Sequence, residues 1–81
     1  MKQFVVYILL CADGTLYTGW TNDIDKRIAE HNKGTASKYT RARLPVRVVF
    51  TENVTSKSDA LRREIAIKKL SRGQKNELVR K

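Results

Sequence analysis

The chain has 81 residues, which suits one domain, residues 1–81, with a small core, and leaves no room for a second domain or a separate substrate-binding lobe. Its 17 Lys and Arg against 8 Asp and Glu give a net charge of +9, a balance that favours a polyanionic partner. One cysteine, Cys11, and one histidine exclude an internal disulfide and a Cys/His zinc set, so the expected setting is reducing and cytoplasmic.

Phe4 to Cys11 is a β-branched and aromatic run. It is too short to cross a bilayer and reads as a buried strand, with no membrane partner expected. Leu16 to Trp20 is a second short apolar run, and Asp13-Gly14 between the two signals a hairpin. The period then changes. Asn22 is placed to cap a helix, Asp23 and Asp25 suit the positive end of its dipole, Ile24 and Ile28 lie four apart, and Gly34 can stop it, giving a helix from Asp23 to Asn32. Residues 33 to 45 are polar and read as a long loop bearing Lys38, Arg41 and Arg43. Loops of that length usually have a use. Val46 to Thr51 reads as a third strand, Ser56 or Ser58 opens a helix running to Leu70, and Ser71 with Gln74 forms a capping-box pattern before a last short helix ending near Lys81. The order is β-β-α-β-α-α: an α+β fold with a three-stranded antiparallel sheet flanked by helices.

Charge is unevenly spread along this order. Residues 1–34 carry four of each sign, so the whole positive excess follows Gly34. A one-sided field of this kind binds nucleic acid by releasing condensed counterions. The candidate contacts are Lys38, Arg41 and Arg43 in the loop and Lys68, Lys69, Arg72 and Lys75 toward the C-terminus.

Hairpin register decides whether Tyr7 and Tyr17 meet. A two-residue turn would put them on opposite faces, because side chains alternate. A three-residue loop, Ala12-Asp13-Gly14 with Gly14 left-handed, pairs Cys11 with Thr15, sets Tyr7 opposite Gly19 and Tyr17 opposite Leu9, and leaves space beside Tyr7. We expect that loop. Arg27 and His31 are four apart and share a helix face that also touches Ile28. Glu64 lies among Ala60, Leu61, Ile65 and Ile67 at the expected edge of the core, where a carboxylate needs a partner or an ion.

Val6-Tyr7-Ile8 and Tyr17-Thr18-Gly19, in register with Arg27, His31 and Glu64, resemble the GIY-YIG nuclease superfamily, and in particular its small single-domain bacterial proteins. Asn76, twelve residues after Glu64, also fits, so the resemblance spans nearly the whole chain. It implies DNA phosphodiester hydrolysis with one Mg²⁺ or Mn²⁺. Glu64 would be the metal ligand from the protein and Arg27 would neutralise charge on the pentacovalent phosphate. Tyr7, Tyr17 and His31 are the candidate bases for the attacking water, and Asn76 would hold the site's geometry. The substrate implied is DNA, branched or flap-containing, with targeting assisted by a protein partner. Three positions depart from the pattern: Val6 and Thr18 replace a glycine and an isoleucine, and Trp20 stands where some active relatives carry lysine.

Each residue also has a plainer reading. Strand tyrosines and Trp20 are ordinarily packing residues, Cys11 a buried filler, Asn76 a surface residue, and Glu64 the partner of Lys68 four positions on. The alternative function is a nucleic-acid-binding module with the nuclease fold and little turnover; a third is an RNA- or ribosome-associated basic protein. Binding alone would not require all five of Tyr7, Tyr17, Arg27, His31 and Glu64.

Overall fold

The structure, a computed structural model, describes residues 3–79. Its elements are β1 (Phe4–Leu10), β2 (Leu16–Thr21), α1 (Ile24–Asn32), α2 (Lys38–Arg41), β3 (Arg47–Val54), α3 (Lys57–Lys68) and α4 (Arg72–Val79). The antiparallel sheet has the order β2-β1-β3. β1 is therefore central, and its continuous apolar run is explained by cover on both faces. On one face Val6 and Ile8 pack with Ala60 and Ile67 of α3, and Phe4, Trp20, Phe50, Val54 and Leu78 surround them. On the other, Tyr7, Leu9, Cys11 and Val46 pack with Tyr17, Ile24, Ile28 and Leu44.

The hairpin has the odd loop. Leu10 pairs with Leu16, Leu9 with Tyr17 and Tyr7 with Gly19, while the Cys11 amide donates to the Thr15 carbonyl at 2.9 Å. Gly14 has φ +85°, a conformation that costs glycine little. Two arginines grip this loop: Arg43 Nε lies 2.9 Å from Asp13 Oδ2, and Arg72 Nη2 donates to the Gly14 carbonyl at 2.7 Å.

Capping fixes the helices. Asp23, rather than the expected Asn22, caps α1 and accepts from the Lys26 amide at 3.2 Å. Thr21 Oγ1, accepting from the Asp23 amide at 3.1 Å, sets that entry. Gly34, at φ +81°, follows the end of α1 as expected. Ser56 caps α3, and Ser71 and Gln74 exchange bonds of 2.9 and 3.2 Å before α4. The expected end of the last helix near Lys81 lies outside the described residues.

Three further features differ from the sequence reading. The polar segment contains α2, capped by Ser37. β3 runs on to Val54 with a shift of register: Ile8 pairs with Phe50 but Leu9 with Val48, so Val49 is the extra residue of a bulge. That explains three consecutive apolar residues in a strand, since Val48 packs on one face and both Val49 and Phe50 on the other. In α3 only Ala60 and Ile67 are fully buried, whereas Leu61 and Ile65 are exposed.

Thr18 is buried against the α3 face, and its hydroxyl oxygen has no hydrogen-bond partner. Thr18→Val keeps the shape and removes the unsatisfied group, so it is expected to raise stability by about 1 kcal/mol in urea unfolding.

Candidate active site

An open cleft of about 430 Å³ lies against the β1-β2 hairpin and α1, lined by Tyr7, Tyr17, Gly19, Trp20, Thr21, Asn22, Arg27, His31, Ala36 and Glu64. All five residues that sequence reasoning tied to chemistry through the two strands and first two long helices thus line one space. The register derived above places Tyr7 and Tyr17 on one sheet face, α1 brings Arg27 and His31 over it, and α3 supplies Glu64 from the far layer.

Tyr7 and His31 are almost wholly buried, at 2% and 1% exposure. The Tyr7 hydroxyl and His31 Nε2 share a hydrogen bond of 2.9 Å. On the other side of the ring, Nδ1 and Thr40 Oγ1 share one of 2.8 Å. Gly19 makes room for this arrangement, because a Cβ there would lie 2.6 Å from the Tyr7 oxygen and 2.8 Å from its ring. Tyr17 meets His31 edge-on with centroids 5.4 Å apart, and stacks on Tyr39 at 5.8 Å. The Arg43 guanidinium lies 3.9 Å from the centroid of the Tyr39 ring. Thr40, Tyr39 and their cap Ser37 were not legible as site residues, because their segment has no apolar period; its length was the only hint.

Burial pushes the Tyr7 phenol far above its ordinary value, Tyr17, Glu64 and Glu30 push the same way, and Arg27 opposes them. The phenol keeps its proton unless positive charge and an acceptor are close. His31 is held below the ordinary 6.5, first by burial and then by Arg27, with Glu30 opposing. It is therefore neutral and able to accept a proton at neutral pH.

Acid is expected to destabilise the folded chain through this residue. The unfolded imidazole takes up a proton near 6.5 while the folded one, facing Tyr7, Tyr17 and Arg27, resists it. Below that pH the unfolded state binds more protons, so stability is full above 6.5 and declines as pH falls toward the folded value. Tm should drop between about pH 7.5 and about pH 5.5, and the drop should shrink in His31→Gln. Asp13, held low chiefly by the Thr15 hydroxyl, changes charge in a separate, more acidic window.

Glu64 is mostly buried, its side chain 18% exposed, with Lys68 Nζ 3.7 Å away. The ion pair expected of a plain helix residue is present, yet the carboxylate also lines the cleft. Among the described residues no three His, Cys, Asp or Glu side chains gather into a metal cluster. The oxygens at hand are one carboxylate, two phenols and the side chains of Thr21 and Asn22. This hard, sparse set suits a divalent cation that keeps most of its coordination for water and phosphate. Arg27 is part-exposed and 3.7 Å from Glu30, and it lines the cleft, where a guanidinium can meet an anion.

Asn76 is not in the cleft. It is exposed on α4, where its Oδ1 accepts from Arg72 Nε at 3.3 Å. Trp20 is part-buried, edge-on to Phe4 at 5.9 Å with Lys57 Nζ 5.7 Å from its ring, and it reaches the cleft as well. Of the seven candidate polyanion contacts, Arg43, Lys68 and Arg72 have partners within the fold. Lys38, Arg41, Lys69 and Lys75 make no ion pair among the described residues.

The family model described as the GIY-YIG catalytic domain matches residues 3–77. A UPF0213 protein of Halobacterium salinarum is 56% identical over 73 residues, covering 90% of this chain and 95% of its own. One of Clostridium perfringens is 54% identical over 74 residues, covering 91% and 80%. Two solution NMR structures share the fold. A protein of E. faecalis superposes with a TM-score of 0.67 at 41% identity, covering 99% of this chain and 85% of its own. A UPF0213 protein of Bacillus halodurans gives 0.62 at 49% identity, covering 95% and 82%. No helix among the described residues is long and apolar enough to cross a membrane.

Proposed function

The chain belongs to the GIY-YIG catalytic-domain family, a nuclease-type family, and on that premise we propose that it is a divalent-metal-dependent DNA endonuclease. The observation that carries this reading is the buried Tyr7–His31 hydrogen bond of 2.9 Å at the wall of a cleft also lined by Arg27 and Glu64. Packing alone does not require a phenol, an imidazole, a guanidinium and a carboxylate around one space.

In this mechanism Glu64 would hold the cation, Mg²⁺ or Mn²⁺, which would supply a Lewis acid for the phosphate and for a water. Tyr7 takes a proton from the attacking water as its own hydroxyl proton passes to His31 Nε2, so no free phenolate need persist in a site that disfavours it. The hydroxide so formed attacks phosphorus, the bond to the leaving oxygen breaks, the departing alkoxide takes a proton from solvent, to which His31 afterwards returns its extra proton, and Arg27 offsets the charge that grows on the equatorial oxygens. Tyr17 orients the water or phosphate beside His31. Lys38, Arg41, Lys69 and Lys75 supply attraction to the backbone, which positions a substrate without reading its sequence. A domain with so few elements to place in a groove selects by shape, and the part-exposed Trp20 offers a stacking edge for an unpaired base near the cut. Branched or flap-containing DNA in the cytoplasm is the substrate this favours, with a protein partner for targeting.

The test is cleavage of flap, fork, single-stranded and duplex DNA with Mg²⁺, Mn²⁺ or EDTA, beside Tyr7→Phe. Metal-dependent cutting is expected, abolished by EDTA and reduced about 10²-fold or more by the variant. Equal cutting by both proteins would sink the enzyme reading. Tight DNA binding with no metal-dependent cutting would establish the second reading, a binding module, which the basic side chains Lys38, Arg41, Lys69 and Lys75 also support.

A further inference from the structure

The hydrogen bonds at His31 do not themselves say which ring nitrogen carries the proton, yet the mechanism above needs Nε2 bare. Thr40 decides this. Its Oγ1 lies 3.3 Å from the Ser37 carbonyl and donates to it. A carbonyl can only accept, so in the arrangement that uses both contacts the single hydroxyl proton of Thr40 goes to Ser37, and the oxygen turns its lone pairs to His31 Nδ1 at 2.8 Å. In that arrangement Nδ1 is the donor. Nε2 is left as an acceptor facing the Tyr7 hydroxyl at 2.9 Å.

The geometry points to Thr40 as a positioning residue that sets the tautomer of His31, so that Nδ1 carries the proton and Nε2 stands ready for the Tyr7 proton. The chain of donors runs one way, from Tyr7 to His31 to Thr40 to the Ser37 carbonyl. Thr40 has 0% exposure, so its hydroxyl is out of reach of bulk solvent. The Ser37 carbonyl is fixed in turn, since it also accepts from the Arg41 amide at 3.0 Å and begins α2. The short helix thus serves the chemistry by holding one hydroxyl at the correct distance from one imidazole. When Nε2 receives the phenol proton, both ring nitrogens become donors, and Thr40 Oγ1 remains a suitable acceptor for Nδ1–H without rearranging. This inference rests on the nuclease reading for its functional meaning, and on geometry alone for the tautomer.

His31 is the only histidine, so ¹⁵N-histidine labelling of the full chain gives one ring to read by NMR. At a pH where the ring is neutral, the proton is expected on Nδ1 in the wild type, in Thr40→Ser and in Tyr7→Phe. In Thr40→Val the Nδ1 preference should be lost. A wild-type ring protonated at Nε2 would overturn the assignment with no variant needed. So would a folded Thr40→Val that keeps Nδ1–H, or a Tyr7→Phe that loses it, because Tyr7 rather than Thr40 would then set the tautomer. If DNA is cut, kcat should fall by about 10²-fold in Thr40→Val with KM little changed, and Thr40→Ser should recover most of it. Absence of cutting in the wild type would refute the nuclease reading and leave the NMR result to decide the tautomer independently.

Discussion

Glu64→Ala is expected to lower the rate of DNA cleavage by about 10³-fold or more while leaving DNA affinity without metal nearly intact. Under the mechanism above, Glu64 would be the carboxylate that holds the cation, and charge stabilisation of several kcal/mol, at about 1.36 kcal/mol per tenfold, corresponds to that factor. The substitution also breaks the Glu64–Lys68 pair. With Lys68 53% exposed and the separation 3.7 Å, the pair contributes at most about 0.5 kcal/mol, so Tm should barely move. Activity and stability therefore separate, and measuring both distinguishes a metal ligand from a helix ion pair. If the variant cuts at the wild-type rate, Glu64 is only the partner of Lys68.

Gly19→Ala should do damage by a different route. The new methyl would sit 2.6 Å from the Tyr7 oxygen and 2.8 Å from its ring carbon. Tyr7 cannot swing aside freely because it is packed with Leu9, Cys11 and Val46. Either the ring or β2 must shift, at a cost of about 1–3 kcal/mol, and the 2.9 Å bond to His31 is lost. Cleavage should fall about 10²-fold or more. The decisive measurement is a cycle with Tyr7→Phe. Both substitutions act on one hydroxyl, so their effects on kcat should fall well short of additive. Full additivity would mean that Gly19 affects catalysis other than through Tyr7.

Much of this geometry was legible in the residues themselves. The strand register followed from one question, whether the turn residues number two or three, because alternation makes every strand residue's facing depend on that parity. Arg27 and His31 followed from a spacing of one helical turn and its neighbour Ile28. What escaped has a common physical cause. α2 is four residues long, too short to display a helical period, and Thr40 is buried by the demand of His31 for a partner rather than by its own polarity. The bulge at Val49 is a two-strand event that one strand's sequence does not encode. Asn76 was placed by its distance in sequence from Glu64, but α4 carries that position away from the cleft, where Arg72 takes it up. The resemblance of the tripeptides carried the assignment of roles, which periodicity and charge alone could not supply.

The two arginines that grip the hairpin loop bear on how the protein's charge is to be interpreted. Arg43 is bound to Asp13 and Tyr39, and Arg72 to Gly14 and Asn76. They reach, from separate segments of the chain, the loop whose parity brings Tyr7 and Tyr17 together. In a charge-reversal survey both would register as weakened DNA binding, although the primary lesion would be a slackened hairpin. Phosphate neutralisation and cohesion are thus divided among different members of one basic set, and the formal charge overstates the number of counterions that a bound nucleic acid would displace.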